Sequence, residues 1–250
     1  MSSSNFNESI SGAQDAVHRA VEALKESGGV AEGNTVDALR QARAFFASQN
    51  SLAQAAICAM NLGDLYWSQS NAVEAHEMYA AARTEFAQTD MPREAADATM
   101  NVAMVHWSNG ELAEARALYL EALSYYTEND LEHEVASAKL SLGGVHEATE
   151  ESDLALAAYH DALDYYSSAE NDRRVSQCQL GIGRVLLNAD DFEEAEPYFL
   201  EAKKAFKARS QQHQYGECMV ALADIYHALD RKDDARKAFE EARTVFSIAQ

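Results

Sequence analysis

Apolar residues recur along the chain at spacings of three and four. Positions 58, 59, 62, 65 and 66 make one apolar face, and 75, 78, 79, 82 and 86 make another. The polar break "SQSNAV" (68–73) separates them, so this stretch predicts two helices joined by a tight turn. Equivalent breaks fall at "SNGELA" (108–113), "TEESDL" (149–154), "NADDFE" (188–193) and "ALDRKD" (228–233). The break "QTDMPRE" (88–94) places Pro92 where it can start the next helix. Gly63 stands inside the first predicted helix, where glycine costs ~1 kcal/mol relative to alanine.

The pattern repeats every forty residues. Alanine recurs at Ala42, Ala82, Ala122, Ala162, Ala202 and Ala242. Aromatic rings recur at Phe46, Phe86, Tyr126, Tyr166, Phe206 and Phe246, and again at Tyr79, Tyr119, Tyr159, Phe199 and Phe239. The Gly63 position reads Gly63, Ala103, Gly143, Gly183 and Ala223, a slot for small side chains where two helices approach closely. One helix pair cannot bury both its faces, so the pairs are expected to stack into a solenoid.

Leu62-Gly63-x-x-Tyr66 with Ala75, Tyr79 and Ala82, and Leu222-Ala223-x-x-Tyr226 with Ala235, Phe239 and Ala242, resemble the tetratricopeptide repeat (TPR). The resemblance implies an all-α fold, a right-handed α-solenoid of stacked antiparallel helix pairs (a TPR superhelix) with about twelve helices. The usual proline after the second helix is missing. The forty-residue period, instead of thirty-four, is similar to the longer-helix repeats of spindle-orientation adaptors, kinesin light chains and bacterial peptide-pheromone receptors. The six extra residues lengthen each helix by about 4–5 Å.

The expected organisation is five tandem units, 51–90, 91–130, 131–170, 171–210 and 211–250, preceded by a degenerate capping helix pair in residues 1–50. In that pair "LRQARAFF" (39–46) keeps the second-helix register, while Val17, Val21 and Leu24 mark a less regular first helix. The last helix, about 232–249, carries Phe239, Val245, Phe246 and Ile248 with no following repeat to cover them. These four residues are the candidates for self-association, because an array normally ends in a polar cap.

Charge narrows the partners. The formal net charge is −21, and residues 51–170 hold 21 acidic against 4 basic side chains. Nucleic acid is therefore excluded as an expected ligand. No apolar run reaches the ~18 residues of a membrane span. The N-terminal "MSSSNFNESISGAQ" does not read as a secretory signal, and three cysteines suggest no disulfide framework, so the cytoplasm is expected.

No catalytic constellation is found, and neither a metal nor a cofactor is expected. Cys58, Cys178 and Cys218 share one slot with Ala98 and Ala138, which asks for a small apolar group. His106 and His146 take the slot of Tyr66 and Tyr226. Neighbouring repeats place such slots ~8–10 Å apart, too far to share a zinc ion at ~2 Å bonds.

The TPR resemblance implies a concave face lined by the first helices, on which ligands lie. Its candidate binding residues here are Met60, Asn61, Asp64, Trp67, Asp97, Met100, Asn101, Met104, Trp107, Glu147 and Arg184. Tryptophan and methionine suit peptide recognition; the alternative is that the tryptophans only pack between helices. In the long-repeat adaptors an asparagine at the place of Asn61 and Asn101 bonds a bound peptide's backbone, whereas Ser141, Gly181 and Ala221 replace it further on. The two-lysine arrangement that grips a terminal carboxylate in chaperone-binding TPRs is missing. The sequence thus predicts a non-catalytic adaptor or scaffold for a basic, neutral or apolar protein segment. A peptide-responsive sensor and a homo-oligomer built through the last helix stay open.

Overall fold

Short turns at twenty-residue intervals set the architecture. The structure, a computed structural model, describes Gly12, Asp15 and residues 33–248. The expected first helix with Val17, Val21 and Leu24 lies outside these residues. Two compact units divide the chain, residues 1–126 and 127–250.

In the first unit the helices are α1 (Gly33–Ser48), α2 (Leu52–Ser68), α3 (Ala72–Phe86), α4 (Pro92–Ser108) and α5 (Leu112–Glu128), the last running into the second unit. The second unit holds α6 (Glu132–Ala148), α7 (Ser152–Ser168), α8 (Asp172–Asn188), α9 (Phe192–Ala208), α10 (Gln212–Ala228) and α11 (Lys232–Ile248). Pro92 opens α4, as its position predicts. The fold is an all-α solenoid of antiparallel helix pairs, with eleven helices among the described residues.

Each turn closes in one way. The second residue past the helix end takes a left-handed conformation at Asn50, Ser70, Gly110, Asp130, Glu150, Glu170, Asp190, Ser210 and Asp230. In eight of these turns the next N–H reaches back six residues inclusive, as from Asn71 to the Tyr66 carbonyl (2.8 Å) and from Glu151 to that of His146 (2.9 Å). This is the Schellman closure, and only Gly110 meets its backbone demand without steric cost. At position 90 the rule lapses, because α3 stops at Phe86 and a longer turn leads to Pro92.

The forty-residue slots are the core. Ala42, Ala82, Ala122, Ala162, Ala202 and Ala242 are all buried, as are Leu62, Val102, Leu142, Ile182 and Leu222. Gly63 sits against the Tyr79 ring, where an added Cβ would lie 2.5 Å from Cδ1 and Cε1. Gly143 and Gly181 both face Tyr159, at 2.6 Å from Cδ1 and 2.5 Å from Cζ for an added Cβ. One tyrosine ring is therefore inserted between two first helices, and each contributes a glycine to make the space. Cys58, Cys178 and Cys218 are free and fully buried in their small-residue slot.

Candidate functional site

In the first unit, α2 and α4 carry most of the candidate residues. Met60, Trp67 and Met104 come together: all three are half-buried and pack on the cluster formed by Leu39, Leu62, Leu65, Tyr79, Val102 and Val105. Met100 and Asn101 are also half-buried, and Trp107 is 36% exposed. Trp67 therefore packs partly into the core, while Trp107 is about one-third exposed. The Asn61 side chain donates to the Ile57 carbonyl of its own helix (2.8 Å).

The acidic candidates have partners on the paired helices. Tyr79 of α3 donates its hydroxyl to Asp64 Oδ1 at 2.8 Å, and Tyr126 of α5 donates to Asp97 Oδ1 at 2.7 Å. Burial raises the Asp64 pKa, and the Tyr79 hydrogen bond works against that rise. Burial, together with Asp64, pushes the Tyr79 hydroxyl well above the ordinary phenol range, so it remains a donor. α2 has no lysine or arginine along its length, and Asp64 is its one charged residue.

In the second unit Glu147 and Arg184 meet. Arg184 donates from Nε to Glu147 Oε1 (2.6 Å) and from Nη2 to Glu147 Oε2 (2.9 Å), a bidentate pair between α6 and α8. Its Nη1 donates to Glu217 Oε1 of α10 at 3.2 Å. Tyr159 of α7 completes the cluster by donating to Glu147 Oε2 at 2.7 Å. Burial opposes the Arg184 charge, but Glu147, with help from Tyr159 and Glu217, outweighs it and holds the pKa above that of a free guanidinium. Glu217 and Tyr159 were not among the candidates. For Tyr159 the clue is a tyrosine, instead of phenylalanine, in a repeat whose first helix carries a carboxylate; Glu217 has none, since its repeat holds Phe239 and Phe246.

Two histidines pair with a carboxylate across a helix turn. His106 Nδ1 lies 2.5 Å from Glu111 and His146 Nδ1 lies 2.6 Å from Glu151, five residues on in each case, so each pair spans its helix turn. Among the described residues no group of three or more His, Cys, Asp or Glu side chains is placed to hold a metal ion. No helix among them is long and apolar enough to cross a membrane.

At the far end of the second unit, Phe239 is 46% and Phe246 36% exposed, whereas Phe199 and Phe206 in the same slots of α9 are covered. Val245 packs against the core, and the side chain of Ile248 lies outside the described residues.

Two family models match the sequence: the tetratricopeptide repeat over residues 174–247, and the soluble NSF attachment protein, SNAP, over residues 1–131. No curated protein matches it. Among solved structures, the chain is similar to RapI in its apo form (TM-score 0.73, 12% identity, 94% of this chain and 98% of that one). It is also similar to BtubC (BKLC) from P. vanneervenii (TM-score 0.70, 16% identity, 95% and 92%). A third is a Rap protein complexed with competence and sporulation factor (TM-score 0.68, 19% identity), of which the likeness covers 85% of this chain and 59% of that one. At these identities the structures speak for the fold alone. With its repeats and turns in the TPR pattern, and with the SNAP model matching just over half its length, the chain is a tetratricopeptide-repeat protein that belongs to the soluble NSF attachment protein family.

Proposed function

We propose that this protein is a non-catalytic adaptor that holds a segment of another protein on the first-helix face of its first unit. One observation carries the reading: α2 and α4 present Met60, Trp67, Met104 and the solvent-facing Trp107 on a stretch whose charged candidates, Asp64 and Asp97, are both acidic. Such a surface favours apolar side chains flanked by lysine or arginine. The family is named for an NSF attachment protein, and one structural relative is a Rap protein complexed with competence and sporulation factor; both support a partner-holding role. In this proposal five units (51–90, 91–130, 131–170, 171–210 and 211–250) follow a capping pair in residues 1–50, and the protein works in the cytoplasm.

Capture of a partner by wild type and by a Trp67→Ala/Trp107→Ala variant tests the reading. The variant should lose most of the partner while keeping its helical content. Equal recovery from a folded variant would remove the proposed face.

A second reading has its own observation. The exposed Phe239 and Phe246 favour a homodimer through α11, whose charges balance at four acidic and four basic. Light scattering on a Phe239→Glu/Phe246→Glu variant decides it: a dimer should become a monomer, and an unchanged mass for both proteins ends this reading.

A further inference from the structure

Three first helices of the second unit share one charge cluster. α8 lies between α6 and α10 and touches both. From this middle position Arg184 places three N–H groups on two carboxylates, Glu147 on one side and Glu217 on the other. Two carboxylates around one guanidinium leave a net negative site. Tyr159 fixes the arrangement, since its ring is held between Gly143 and Gly181 and its hydroxyl binds Glu147. Beside the cluster is an open cavity of ≈ 630 Å³ lined by Glu147, Glu150, Ser152, Val185 and Asn188. An entering segment has room there, and it meets carboxylates.

We propose that Glu147 and Glu217 mask Arg184, and that this mask is the specificity device by which the first-helix face of the second unit rejects acidic segments and admits basic ones. The inference rests on the proposal that a first-helix face receives a protein segment, and it concerns the first helices of the second unit by themselves. The masking groups differ in strength. Glu147 is mostly covered and holds Arg184 at two points, whereas Glu217 is a third exposed and holds it at one. An acidic side chain reaching Arg184 would have to displace Glu217 and would then lie against Glu147. Like charges in that position repel, so rejection follows from the cluster itself.

Unmasking is the test. Fluorescein-labelled hexaglutamate and hexalysine amides serve as probes, with binding read by anisotropy. Wild type should bind hexalysine and bind hexaglutamate weakly or not at all. Glu147→Gln/Glu217→Gln keeps one acceptor oxygen at each position, removes both carboxylate charges and so releases the guanidinium charge. It should bind hexaglutamate at least about tenfold more tightly, the value of one partly desolvated charge pair. Adding Arg184→Met should abolish the gain. Glu193→Gln/Glu194→Gln on α9, which relieves the same net charge elsewhere, should give none. If the double variant folds poorly, Glu217→Gln alone should show a smaller gain of the same sign. The mask is overturned if wild type already binds hexaglutamate as tightly as the unmasked variant, or if the folded variant gains no more than Glu193→Gln/Glu194→Gln while hexalysine binding persists. If no variant binds either peptide, the receiving face itself is lost, and the adaptor reading of this unit with it.

Discussion

Replacing Gly181 by alanine should destabilise this protein, although the same change in an ordinary helix stabilises. The local term favours alanine by ~1 kcal/mol. The packing term opposes it. An added Cβ would stand 2.5 Å from Tyr159 Cζ and 2.7 Å from both Cε atoms, about 1 Å inside ordinary contact. The ring has no free direction of retreat. On its other side Gly143 is so close that its own added Cβ would lie 2.6 Å from Cδ1, and at its tip the hydroxyl is bound to Glu147 at 2.7 Å. Overpacking of this kind costs about 1–3 kcal/mol. Pulling the hydroxyl from a carboxylate costs a further ~1.5–3 kcal/mol if the ring is driven out of place. The net expectation is a loss of about 2 kcal/mol, read as a lower urea midpoint at unchanged slope. Tyr159→Phe removes the tether, so the cost of Gly181→Ala should shrink in that background, giving a coupling of about 1 kcal/mol. A Gly181→Ala protein more stable than wild type would refute the claim that this glycine exists to seat Tyr159.

Other changes should separate groups that look alike in sequence. Tyr126→Phe should cost about 2 kcal/mol, because its hydroxyl binds Asp97, whereas Tyr166→Phe should be neutral or stabilising, because its buried hydroxyl has no well-directed partner beside Ser137; equal losses in urea unfolding would contradict this. Burial pushes the Cys58 thiol up to about 11, and Cys178 and Cys218 up to about 12. The unfolded chain therefore releases these protons first, so their contribution to stability is complete below about pH 9 and is lost as pH rises through 11–12; the pH dependence should weaken in a triple Cys→Ala variant. At pH 8 a thiol reagent should label the native protein only as fast as it opens, and faster labelling would show the slot is not closed. Glu150→Gly and Asp190→Gly should each raise stability by about 1 kcal/mol, because both residues hold left-handed backbone (φ 59° and 62°); unchanged thermal midpoints would count against strain at these turns.

The fold was legible because forty-residue identity falls on the residues that touch. Small side chains at 42, 82, 122, 162, 202 and 242, and aromatic rings four positions further on, state the helix pairing directly. Even Gly63, which weakens its own helix, is explained by the Tyr79 ring against it. The candidate site was less legible, because periodicity assigns a residue to a face and does not say what reaches that face from behind. Asp64, Asp97 and Glu147 were read as groups for a partner, yet each accepts a hydrogen bond from a tyrosine whose ring is core. Tyr126 stands opposite Asp97, while Phe86 and Phe206 fill the same slot in repeats whose matching first-helix residues are Ile57 and Gln177. Gly181 read as the loss of a peptide-binding asparagine, but it makes room for Tyr159. Arg184 is a candidate binding residue in the sequence, and its pairing with Glu147 and Glu217 depends on two helices that lie beside it only after folding.

The proposed face offers its own reporter, since the chain's two tryptophans are Trp67 and Trp107. Intrinsic tryptophan emission, titrated with a captured partner segment lacking tryptophan, measures the central claim directly. A saturable blue shift or quench should track binding measured independently by anisotropy, as Trp107 leaves water. Full binding by anisotropy with no change in tryptophan emission would place the partner elsewhere and contradict the account.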